Sequence, residues 1–297
     1  MTYVKEGLLG LALSALLCVA AMPAVQAGPK SPAPVTLAPG ALKAAEIAKA
    51  AVATEKKMAT PAEKKPAKPH VTHWGYEGDR GPDRWSTLEA GFEACASGRQ
   101  QSPLNIENAD AAGLAPLVFH YAVSPIDLVN NGHTVQANYG AGSHITLGDE
   151  RFDLLQFHFH TPSEHRVAGQ AFPMEIHFVH RHASGRLAVV GVFVALGAEN
   201  LAAREVWDRL PREPHSTAKD SRAIINARDL LPPGTAYFRY AGSLTTPPCS
   251  EQVDWFVLQQ PVAFSAEQIS QLHAVIGRNA RPVQARHGRY LLQATGG

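Results

Sequence analysis

Two stretches, Gln156-Phe157-His158-Phe159-His160 and Glu175-Ile176-His177-Phe178-Val179, decide how this 297-residue chain is read. In a strand, successive side chains point to opposite faces, so His158 and His160 share one face, about 6 to 7 Å apart. Phe157 and Phe159, with Leu155, then fill the other. The second stretch repeats the pattern, with Glu175 and His177 on one side and Ile176 and Phe178 on the other. The link from His160 to His177 is short, which makes the two strands antiparallel neighbours. A lone histidine in a strand is usually a core or surface residue. Three in phase on adjacent apolar strands can meet at one point, and three protein nitrogens with an open fourth position is the arrangement of catalytic zinc. Gln156 and Glu175 each precede a ligand by two residues. Each therefore lies on its ligand's face, placed to receive the ring N–H that the metal does not use. Parity also puts Val179 on the His177 face.

Outward from this pair, short segments rich in β-branched and aromatic residues cover 117–122, 126–128, 134–137, 144–147, 152–160, 174–180 and 187–195. Two more follow at 236–240 and 252–259. Gly, Asn, Asp and Pro punctuate them, the signature of a mainly antiparallel β protein. A helix is expected over 201–210, stopped by Pro211. A second opens on a capping box, Ser265-Ala266-Glu267-Gln268, and places Ile269, Leu272 and Ile276 at helical spacing before Gly277. One β-rich domain with peripheral short helices follows, over 71–297.

The N-terminal part has another character. Residues 8–22 are apolar and uncharged, after Lys5 and before the small residues Ala24-Val25-Gln26-Ala27, so 1–27 is expected to be a secretory signal. The run is short for a spanning helix, which needs about 20 apolar residues. The expected location is therefore the periplasm, the alternative being a membrane tether through an uncleaved N-terminus. Over 28–70, eight lysines face three glutamates and no aromatic residue occurs, the composition of a disordered Ala/Pro/Lys-rich tether. From Val71 on, one lysine and 17 arginines stand against 22 acidic residues. Nothing in that mildly acidic balance, nor in lysines with no interleaved aromatics, asks for nucleic acid.

From Trp74 onward the chain resembles the α-class carbonic anhydrases. The resemblance is carried by His73-Trp74-Gly75-Tyr76, Gln101-Ser102-Pro103-Leu104-Asn105-Ile106, Asn130-Asn131-Gly132-His133, the stretch Gln156 to His160, and Thr161-Pro162-Ser163-Glu164-His165. It continues through Glu175 to His180, Gly242-Ser243-Leu244-Thr245-Thr246-Pro247-Pro248 and Asn279-Ala280-Arg281-Pro282. It implies a twisted, mostly antiparallel central sheet of about ten strands, with Zn2+ on His158, His160 and His177 at the base of a cleft. It further implies reversible hydration of carbon dioxide to bicarbonate and a proton. Thr245 would accept the hydroxide's hydrogen bond and donate its own proton to Glu164, an acceptor-only carboxylate. Val189, Leu244, Val253 and Trp255 would join Val179 in an apolar wall for the substrate. His133 would shuttle the proton, with Tyr76, Asn131 and Thr246 ordering water. His165 and His180 match family positions and are expected to be buried hydrogen-bonding groups. Ester hydrolysis is the expected side activity. A silent binding domain on the same fold is disfavoured by the intact ligand set, and the resemblance leaves room for a homodimer.

Once a signal is removed only Cys95 and Cys249 remain, and an even count in an exported protein suggests one disulfide. Many bacterial members of the family look similar in this pair.

Overall fold

A computed structural model describes residues 73–294. The expected signal and the whole of the expected tether lie outside the described residues. Among those described, no helix is long and apolar enough to cross a membrane.

Ten strands form one continuous path. They are β1 (Asp110–Ala112), β2 (Val123–Asn130), β3 (Val135–Asn138), β4 (Glu150–His160), β5 (Met174–His182), β6 (Leu187–Leu196), β7 (Thr217–Asn226), β8 (Tyr237–Ser243), β9 (Glu251–Leu258) and β10 (Leu292–Ala294). Their order across the sheet is β7-β2-β3-β4-β5-β6-β9-β8-β10-β1, and Leu117–His120, His144–Leu147 and Val262–Phe264 pair alongside. Every neighbouring pair on the path is antiparallel except β6 with β9 and β10 with β1. The expected β class and sheet are therefore observed.

The middle of the sheet is buried on both faces, which is why β6 reads Leu-Ala-Val-Val-Gly-Val-Phe-Val-Ala-Leu rather than alternating. On one face Phe157, Phe159, Ile176, Phe178, Val190 and Val192 join the larger core, against Trp207 and Leu272. On the other, Val179, Val189, Val253, Trp255 and Val257 form a second cluster, and the three histidines lie on this side.

A bulge tunes β4. Val179 pairs with Gln156 but His180 pairs with Leu154, so Leu155 is an extra residue. The expectation that Leu155 shares the core face with Phe157 is corrected: Phe152 and Leu154 are the buried partners, and Leu155 is half-exposed. The extra residue shifts the phase, letting Phe152, Leu154, Phe157 and Phe159 all reach one core.

The capped helix is observed as Ala266–Ile276, with both capping-box hydrogen bonds made. The helix expected over 201–210 is shorter, a 3-10 turn at Leu201–Ala203 followed by one α turn at Arg204–Trp207. The Asn200 side chain accepts from Ala203 N–H, which fixes the tight first turn, and the Trp207 indole donates to the Gln268 carbonyl. Strand β7 had no apolar alternation to announce it. It is a mostly exposed edge strand, and its pairing slips between Asp220 and Ile224, where Ile224 faces Pro125. A proline offers no N–H to the ladder, so an irregularity falls there naturally.

Candidate active site

Strands β4 and β5 place the three histidines. His158 is directly opposite His177, and His160 opposite Glu175. One ring nitrogen from each of His158, His160 and His177 lies within 4.8 Å of the others. The remaining ring nitrogens are all used by the protein. His158 Nδ1 is 2.9 Å from Gln156 Oε1, His160 Nδ1 is 2.8 Å from the Asn279 carbonyl, and His177 Nε2 is 2.9 Å from Glu175 Oε1. Each ring therefore keeps an unprotonated nitrogen for the centre. Among the described residues His160 Nε2 is buried with no hydrogen-bond partner, a state that a bound metal ion would relieve. Burial first, and the neighbouring imidazoles after it, push His158 well below the usual histidine range. Burial likewise takes His160 to about 4 and lowers His177. Neutral imidazoles are what a divalent cation needs, so these residues fit one.

Glu175 anchors the far side. Its Oε2 accepts from the backbone N–H groups of Glu164 and His165, both at 2.9 Å, and its Oε1 from the rings of His165 and His177. Burial opposes its charge, but His165 and His177 outweigh that and hold it well below the carboxylate range. His165 is thereby a buried hydrogen-bonding residue, its second nitrogen 2.7 Å from the Tyr240 hydroxyl. His180 is one too, paired with Tyr121.

Glu164 is fully buried beside the centre, its Oε2 3.5 Å from His160 Nε2 and its Oε1 accepting from Arg281 N–H. Burial pushes its pKa up to about 7, against the opposing pull of His177, the Thr245 side chain and the Arg281 N–H.

A cleft of about 250 Å³ opens over the histidines. It is lined by Tyr76, Asn131, His133, Val179, Val189, Leu244, Thr245, Thr246 and Trp255 among the expected residues, together with Gln156. Val253 is not on its surface; it is buried behind the wall in the same apolar cluster. Trp74, Thr134 and Gln136 line the cleft unforeseen. For Gln136 a signal existed, since Val135 and Ala137 flank it on β3 and parity turns it to the histidine side. Asn279 was unforeseen as the partner of His160, because a backbone carbonyl leaves no trace in sequence. Its side chain also donates to the carbonyls of His133 and Phe159.

Cys95 and Cys249 are bonded, as the even cysteine count suggested, joining segments 154 residues apart. Cys249 N–H donates to the Thr246 carbonyl, so the bridge ends on the loop that carries Thr245.

A mostly antiparallel sheet that gathers three neutral imidazoles under an apolar-walled cleft defines an enzyme built around a tri-histidine centre able to hold a metal. Residues 80–294 match the family described as eukaryotic-type carbonic anhydrase. The chain belongs to this α-class carbonic anhydrase family and is an enzyme of that class. It is 41% identical over 234 residues to a carbonic anhydrase of Nostoc sp., covering 77% of this chain and 89% of that one. It is 43% identical to a carbonic anhydrase of Pectobacterium atrosepticum over 221 residues, 74% of this chain and 90% of the relative. Among solved structures, the α-carbonic anhydrase of Thermovibrio ammonificans in complex with sulfanilamide superposes with a TM-score of 0.73 at 42% identity. That match covers 74% of this chain and 99% of the other.

Proposed function

We propose that this chain catalyses the reversible hydration of carbon dioxide to bicarbonate and a proton, with Zn2+ held by His158, His160 and His177. The carrying observation is the buried His160 Nε2, left without a partner beside two imidazoles whose outer nitrogens are already engaged. Zinc bound there would lower the pKa of its water to about 7, a magnitude taken from carbonic anhydrases themselves, and so supply hydroxide near neutral pH.

The chain's own groups do the rest. Three neutral ligands leave the cation's charge undiminished. An ionised Glu164 can only accept, so Thr245 donates its hydroxyl proton to it and keeps its lone pairs for the nucleophile's O–H. That fixes which way the nucleophile faces. Val179, Val189, Leu244 and Trp255, backed by Val253, give a linear apolar substrate a dry wall without charged recognition. His133, at the cleft's surface, takes the proton outward, and Tyr76, Asn131 and Thr246 order the water between. The Cys95–Cys249 bond supports an exported enzyme, since disulfides persist in oxidising compartments. The apolar run at 8–22 is proposed as the export signal.

The test is stopped-flow CO2 hydration with and without a zinc chelator, paired with metal analysis. His158→Ala is expected to lose zinc and activity together, and any ester hydrolysis with them. A variant that hydrates CO2 at the parent rate without bound metal would overturn the reading.

A further inference from the structure

The turn Asn130-Asn131-Gly132-His133 is locked to a second loop, 211–216, by a single buried residue. Asn130 N–H donates to the Ser216 carbonyl at 2.9 Å, and its side-chain amide donates to the Pro211 carbonyl at 3.0 Å. Its Oδ1 accepts from Gly132 N–H, closing the turn on itself. Both ends of the 211–216 loop are therefore tied to the base of the turn that presents His133. Near the end of that loop stands His215, exposed and held at φ 63°, in the left-handed region that a histidine seldom adopts. Ser216, next to it, is pinned by two bonds to the Glu213 carbonyl, so the conformation is fixed locally.

This geometry lays the His215 ring over Gly132. A Cβ built on Gly132 would stand 2.9 Å from His215 Cε1 and 3.3 Å from Nε2, and Gly132 itself has φ 87°. Glycine there serves both the turn and the ring. His133 is the next residue, and it lies stacked on Trp74 with 3.6 Å between ring centroids, His73 flanking it at 5.6 Å. In this pose burial, then His73 and His215, press His133 down to about 4. A group with that affinity releases a proton readily but holds it briefly, so a base close by would complete the exit.

We propose that His215 is a second proton acceptor at the cleft mouth, receiving the proton from His133 and giving it to buffer. The neutral His215 imidazole takes the proton on one ring nitrogen, directly or through one water, becomes imidazolium, and releases a proton to a solvent base. His133 returns to neutral, and no bond other than N–H or O–H is made or broken. The charged groups on its own loop are Arg212 and Glu213, and across Gly132 it faces His133. The proposal rests on the reading that protons leave through His133.

The experiment is steady-state CO2 hydration in dilute non-imidazole buffer, and again with added imidazole, for the parent, His215→Asn, His133→Ala and the double variant. Asparagine tolerates the left-handed backbone and cannot titrate. His215→Asn is expected to lower kcat by about threefold to tenfold, part of the roughly 100-fold or more that a whole proton-transfer group contributes. Its kcat/KM should stay unchanged, and imidazole should restore kcat. A serial relay also requires non-additivity: the double variant should be no slower than His133→Ala alone. Parent-like kcat in His215→Asn, a parallel fall in kcat/KM, or additive losses would each overturn the proposal while leaving His133 in its role. Unchanged kcat in His133→Ala would instead remove the exit itself, and the relay with it.

Discussion

Four N–H groups converge on the carboxylate of Glu175, two from the backbone and two from imidazoles. A fully buried carboxylate stays ionised only with that many donors. Space for it comes from Gly191, opposite His177 on β6, where a Cβ would stand 2.9 Å from Glu175 Oε1. An Ala there would push the carboxylate off His177. The other face of the sheet holds a histidine with the opposite character. His180 is wholly buried beside Tyr121, and burial takes its pKa from 6.5 to about 3. Its folded pKa lies below its unfolded one, so the unfolded chain binds the proton first as pH falls. Stability is then complete above about pH 6.5 and lost progressively as pH drops towards about 3. At pH 5 this amounts to roughly 2 kcal/mol. His180→Gln, which keeps a partner for Tyr121 and cannot titrate, should reduce by about that amount the stability lost between pH 7 and pH 5 in urea denaturation. At this scale the three clustered histidines were legible because strand parity is local, whereas Asn279 and Gly191 act through a carbonyl and an absence.

The bulge at Leu155 reconciles two demands on one strand. Phe152 and Leu154 must face the same core as Phe157 and Phe159, an odd number of residues away. Strict alternation cannot satisfy that, and one inserted residue can. Deleting Leu155 would leave Phe152, Leu154, Phe157 and Phe159 at strict two-residue spacing, so the core residues and the histidines would keep their faces without a bulge. The expected result is a folded protein that still holds its metal, checked by circular dichroism and metal analysis, and insoluble or metal-free protein would show that the bulge does more than set the phase. The bulge was hidden from a parity reading because Leu154 and Leu155 are equally apolar, and only the partner strand decides which is extra. Strand β7 escaped for a different reason. An edge strand buries little, so its sequence Thr-Ala-Lys-Asp-Ser-Arg carries no hydrophobic period.

Across the molecule, the N-terminal segment and the Thr245 loop are bound into one unit. The Arg281 guanidinium donates to Gln101 Oε1 and to the carbonyls of Ser102 and Cys95, while its backbone N–H holds Glu164. The disulfide closes the same region over 154 residues. Chain entropy alone assigns such a bridge about 5 kcal/mol, an upper figure. The Cys95→Ser/Cys249→Ser pair should therefore unfold at clearly lower urea concentration while the folded fraction still binds zinc, measured by denaturation and metal content. The sequence by itself determined the β class, the histidine triad and the faces it shares with Gln156 and Glu175, because alternation is written residue by residue along the chain. Tertiary structure alone decided which leucine of β4 is the extra one, that Val253 backs the wall instead of lining it, and that Asn279 and Arg281 hold the site. Those are contacts between separate segments, more than a hundred residues apart for Asn279 and Arg281, and nothing local in the sequence records which distant atom will arrive.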